Sequence, residues 1–84
     1  MSEREQIRKF IAELLHKKGD SRPFQDSESL ILSGRLESID AVEIVMFLEN
    51  QFRLDFAAIG FDQALIDSIQ LICDLVQTRA SASR

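Results

Sequence analysis

Between Gly19 and Glu37 the helical recurrence of apolar residues stops, and Pro23 forbids a continuous helix through the gap. Any fold for this chain must build helices on both sides of that interruption and find a use for it. On the N-terminal side Ile7, Phe10, Ile11, Leu14 and Leu15 fall at i, i+3, i+4, i+7 and i+8, one apolar stripe. Ser2 and Glu5 stand at capping-box spacing, Lys17 and Lys18 suit the negative end of the helix dipole, and Gly19 is a natural stop. A first helix over 3–18 follows, then a loop over 19–37. Leu30, Ile31 and Leu32 are the apolar residues in that loop expected to fold against the core. A connection this long is unusual in a compact domain. In a four-helix bundle it serves as a crossover that spares the first two helices adjacent antiparallel packing.

Beyond the gap, Ile44, Val45, Leu48 and Phe52 predict the core face of a second helix over 38–52. Leu54, Phe56 and Ile59 anchor a connection, and 61–65 is expected to make a short third helix. Asp67-Ser68 offers a cap for a fourth helix over 68–79, where Ile69, Ile72, Cys73 and Val76 repeat the helical spacing. Residues 80–84 are expected to fray. With no strand signal and no internal repeat, the 84 residues predict a single all-α domain over 1–84. Three main helices and a short one form its four-helix bundle.

Several functions are disfavoured by what the chain lacks. The charged Met1–Glu5 segment is not followed by the uninterrupted apolar run of a signal peptide, and no stretch approaches the length of a membrane span. A lone cysteine cannot form an internal disulfide, which fits a reducing cytoplasm; Cys73 itself reads as a small buried hydrophobe. The single histidine, His16, sits between Leu15 and two lysines with neither a nucleophile nor a metal-ligand partner at useful spacing. Three scattered glycines make no phosphate loop. The chain is therefore expected to be neither an enzyme nor a metal protein.

Charge is divided along the chain. Residues 1–35 carry a net of +1, residues 36–78 a net of −7 with Arg53 their one cation, and the whole chain −4. An acidic second half disfavours nucleic acid, whose phosphates need a basic surface, and favours a partner with a basic patch. Within the second helix, Ile39, Val42 and Met46 lie on a face partly separate from the core stripe, interleaved with Asp40, Glu43 and Glu49. Apolar residues rimmed by acids there are either surplus core or a docking surface.

Ser38 stands where the polar loop meets this acidic helix. A serine there can act as a cap and nothing more. Its setting, Leu30-Ile31-Leu32-Ser33-Gly34-Arg35-Leu36-Glu37-Ser38-Ile39-Asp40, resembles the phosphopantetheine attachment site of acyl and peptidyl carrier proteins. The pattern of that family reads Leu, two or three residues, Gly, two residues, Asp-Ser-Leu. The following Ala41-Val42-Glu43-Ile44-Val45-Met46 is similar to the family's second helix, and the likeness runs from about Asp26 to Val76. Asp67-Ser68-Ile69 matches the three-residue centre of the motif better, but lacks the Leu and Gly framework upstream and resembles the cap of the family's last helix.

The resemblance implies a stand-alone, monomeric carrier with 4′-phosphopantetheine on Ser38. Such a carrier shuttles thioester-bound acyl or aminoacyl groups between separate enzymes of fatty-acid, polyketide or other secondary-metabolite synthesis. It further implies that Ile39, Val42 and Met46 touch partner enzymes, while Glu37, Asp40, Glu43 and Glu49 meet their basic patches. The first partner would be a phosphopantetheinyl transferase, followed by loading and transfer enzymes. Two positions depart from the family, Glu37 for Asp and Ile39 for Leu. The extra methylene of Glu37, beside the serine where the transferase and its Mg²⁺ act, implies slower or more selective modification. The rival expectation is a non-catalytic interaction module with a carrier-like fold and no prosthetic group.

Overall fold

The computed structural model describes residues 2–82, with side chains for 2–78. It is all-helical, with no strand among the described residues: α1 (Glu3–Lys17), α2 (Ser38–Phe52), α3 (Phe56–Ile59), a 3-10 helix (Gln63–Ile66) and α4 (Ile69–Ala82). α4 is the hub, packing against α1, α2 and the 3-10 helix. Its Ile69, Ile72, Cys73 and Val76 meet Ile7, Ile11, Leu14 and Leu15 of α1 and Ala41, Ile44 and Leu48 of α2 in one core. Burial pushes the Cys73 thiol pKa up, in keeping with a packing role. Phe10 and Phe47 stack at 4.2 Å between centroids and close the bundle between α1 and α2.

The ends of α1 follow from its sequence. Ser2 Oγ accepts the Glu5 N–H (3.1 Å). At the other end the Gly19 N–H bonds the His16 carbonyl (2.9 Å) and the Asp20 N–H the Leu15 carbonyl (2.9 Å). That is a Schellman motif, and it needs the positive φ of 79° that Gly19 supplies.

Three expectations are corrected. The short third helix expected at 61–65 is a 3-10 helix over Gln63–Ile66, and a further short helix, α3, precedes it where a connection was expected. Asp55 caps α3 by accepting the Ala57 and Ala58 N–H groups, Gly60 ends it at φ 86°, and Asp62 then starts the 3-10 helix. Two Asp-initiated turns thus flank Phe61, each too short to show a helical period. Leu32 does not join the core: Leu30 and Ile31 are buried but Leu32 is 70% exposed. Finally, α4 continues through Ala82, past the expected end at 79, whereas Ser83 and Arg84 lie outside the described residues.

The 19–37 segment is ordered by charge rather than by apolar burial alone. The Arg35 guanidinium, only 11% exposed, donates to both Asp20 carboxylate oxygens (3.1 Å each), to Glu28 (2.7 Å) and to the Pro23 and Arg22 carbonyls. Asp26 receives Arg4 (2.6 Å) and Arg8 from α1, and Arg8 also lies over the Phe24 ring. The bonds to Arg22 and Arg35 hold the Asp20 carboxyl well below the usual carboxylate range, and Arg35 does the same for Glu28. Burial pushes Asp26 up, but its bonds to Arg8 and Arg4 outweigh this and leave it lowered.

Candidate functional site

Asp67 fixes the approach to Ser38. Its buried carboxylate accepts the Ile31 N–H (2.7 Å), the Leu32 N–H (2.9 Å) and the Ser29 hydroxyl (2.6 Å), and its carbonyl accepts the Leu30 N–H (2.8 Å). The Leu36 N–H then returns to the Leu30 carbonyl (2.8 Å), closing 30–36 into a compact turn that ends at α2. The neighbouring Ser68 caps α4, its Oγ accepting the Leu71 N–H (3.1 Å), and is buried. The second serine candidate of the sequence is thus committed to a structural bond.

Ser38 differs from it in every respect. It is the first residue of α2 and exposed, and the cap belongs to its neighbours: Asp40 Oδ2 accepts the Glu37 N–H (2.8 Å), the returning half of a capping box. Freed from capping, the Ser38 Oγ accepts a bond from the Gln63 side-chain amide at 3.3 Å. The hydroxyl therefore faces solvent at the positive end of a 15-residue helix.

Along α2 from Ser38, Ile39 (67% exposed), Val42 (52%) and Met46 (54%) stand in solvent while Ile44 and Leu48 are buried. The surplus apolar face is surface, not core. Glu37, Glu43 and Glu49 are exposed beside it. Asp40 is not. It is 6% exposed, spends one oxygen on the helix cap, and pairs with Lys18 Nζ at 3.0 Å. Its expected place among the docking acids is corrected: a residue at the third position of the capping box turns back towards the helix start, where Lys18 meets it. Lys18 also reaches Glu37 (3.5 Å), and the bond to Asp40 raises the Lys18 pKa. Glu43 and Glu49 are exposed with no ion pair among the described residues, and Glu37 has Lys18 at its flank.

Three contributors were not legible in the sequence as site residues. Lys18 read as a dipole-matching lysine, Asp67 as half of a cap, and Gln63 carried no signal. Each acts across 22 to 38 residues of chain, beyond the reach of local spacing.

No group of His, Cys, Asp and Glu among the described residues is arranged to hold a metal ion, and no described helix is long and apolar enough to cross a membrane. A groove of about 440 Å³ between α1 and the loop, lined in part by Arg8, His16, Arg22 and Phe24, excludes Ser38, and its two arginines are already bonded to Asp26 and Asp20. Comparison with protein families, with curated proteins and with solved structures finds no match to this chain.

Proposed function

We propose that the chain is a carrier protein, modified on Ser38 by 4′-phosphopantetheine and serving separate enzymes that load and use its cargo. The observation that carries this reading is an exposed serine at the first turn of an acidic helix, relieved of capping, beside an apolar strip that the core does not use. The donor set fits the group. Ser38 offers the hydroxyl for a phosphodiester, the Gln63 amide an N–H for its oxygens, and the start of α2 a favourable dipole for its charge. Once attached, the group supplies a thiol that holds acyl or aminoacyl cargo as a thioester. The chain itself supplies the anchor and the docking surface. Ile39, Val42 and Met46 give apolar contact, while Glu43, Glu49 and the partly engaged Glu37 steer a basic partner for fast association and easy release. A cytoplasmic, monomeric carrier working in fatty-acid, polyketide or related synthesis is the setting this reading entails.

The test is incubation of the purified chain with coenzyme A, Mg²⁺ and a broad-specificity phosphopantetheinyl transferase, followed by intact and peptide mass spectra. One added phosphopantetheine on Ser38 is expected, with none on a Ser38→Ala variant that melts like the wild type. Failure to load, with a control carrier loaded in parallel, favours an interaction module that uses the same α2 face without a prosthetic group.

A further inference from the structure

Gln63 reaches Ser38 across 25 residues of chain, and the two side chains meet at 3.3 Å between Gln63 Nε2 and Ser38 Oγ. Gln63 is itself held in place. It opens the 3-10 helix, whose first turn is capped by Asp62 accepting the Ala64 N–H (2.9 Å). The same turn is closed by the Leu65 N–H on the Asp62 carbonyl (2.9 Å) and pinned by the buried Ile66. The next residue, Asp67, holds the turn that leads into Ser38. Backbone approach and side-chain orientation of Ser38 are thus both referenced to one five-residue segment, 63–67.

We infer that Gln63 is a positioning residue for the modification of Ser38, an inference that rests on the carrier reading above. An exposed serine otherwise samples its staggered rotamers freely. A donor amide on one lone pair favours a single rotamer and leaves the O–H pointing away, open to a base. In the transfer, Ser38 Oγ attacks the coenzyme A phosphorus that bears the pantetheine arm, and an Oγ–P bond forms. The P–O bond to the adenosine 3′,5′-bisphosphate breaks, that group leaves with the electron pair on its oxygen, and the serine proton passes to a base of the transferase. The Gln63 N–H, released from Oγ, stands beside the new phosphodiester as a donor to its oxygens.

The experiment measures initial loading rates against carrier concentration by intact mass, with coenzyme A and Mg²⁺, for wild type, Gln63→Met and Gln63→Lys. Met keeps the length of the side chain and removes the donor; Lys restores an N–H donor of similar reach. Gln63→Met is expected to lower kcat about three- to tenfold with KM for the carrier unchanged, the range expected for one neutral hydrogen bond. Gln63→Lys recovers most of the loss, and all three proteins share one melting temperature. The ³¹P shift of the loaded phosphodiester should also differ between wild type and Gln63→Met, a change that a purely structural role would not produce. Wild-type kcat in Gln63→Met overturns the inference while leaving the carrier reading intact. So does a Gln63→Lys protein no faster than Gln63→Met, or an unchanged ³¹P shift. A wild-type chain that takes no phosphopantetheine overturns the carrier reading, and this inference falls with it.

Discussion

Asp67 shows how much of this molecule depends on one buried carboxylate. With three donors on its side chain and a fourth on its carbonyl, it ties the turn ahead of Ser38 to the start of α4. Asp67→Ala would leave the Ile31 and Leu32 N–H groups without their acceptor, where only water could replace it. We expect a loss of about 2–4 kcal/mol, read from the urea midpoint, because orphaned buried donors carry their full desolvation cost. Asp67→Asn keeps one carbonyl oxygen for the Ile31 and Leu32 amides and should lose less. Amide exchange at Ile31 and Leu32 should accelerate in the alanine variant, and a wild-type midpoint there would show that the turn stands without this anchor. None of this was readable from Asp67-Ser68, where local spacing offers only a cap. Asp40 teaches the same lesson from the other side. The family resemblance placed it with the docking acids, but cap geometry and Lys18 draw its carboxylate inward.

Among the elements, the long helices were legible because their apolar residues repeat over several turns, and repetition averages out local ambiguity. The stripes of α1 and α4 emerge buried almost as spaced: of the nine residues in the two stripes, only Phe10 is partly exposed. α3 gives no signal and the 3-10 helix is displaced from 61–65 to 63–66 because four residues cannot display a period, and their boundaries rest on Asp55, Gly60 and Asp62 instead. Arg53, at the end of α2, adopts a positive φ of 56° that sequence would assign to Gly or Asn. For α2 the sequence leaves open whether Ile39, Val42 and Met46 are surplus core or surface, and all three are exposed. The burial of Ala41 in place of a larger residue was not anticipated. On the carrier reading, that surplus face is the element on which docking depends. Glu43→Lys and Met46→Glu, each on an exposed side chain, should leave the fold intact and weaken transfer to a cognate enzyme. For the charge reversal the effect should lie mainly in the association rate and shrink with added salt. Unchanged transfer at subsaturating carrier would remove α2 from the interface.

At the scale of the whole molecule, the ordered 19–37 segment rests on carboxylates that must stay ionised. Asp20, Asp26 and Glu28 all titrate below their ordinary values because Arg22, Arg35, Arg4 and Arg8 hold their charged forms. A carboxyl whose pKa is lower in the folded state than in the unfolded one binds fewer protons when folded. Its contribution is complete above the unfolded value, 3.8 for an aspartate, and is lost as pH falls through the folded one. Lys18, raised above 10.5 by Asp40, works in the opposite sense: its contribution is complete below that value and fades only as pH rises beyond it. Stability should therefore hold level from 4.5, the unfolded value for Glu28, up to 9.0, where ionisation of the unfolded Cys73 thiol begins to cost it, and decline on the acid side, where ten Lys and Arg residues also lose their counter-charges. Because the affected pairs cluster in one segment, the decline should begin there. As pH is lowered from about 4 to about 2, amide protection at 20–36 should fall before that of α1 or α4, since the helix cores rest on apolar burial that protonation leaves untouched. Simultaneous loss of protection in loop and helices would show instead that the segment and the bundle open as a single cooperative unit.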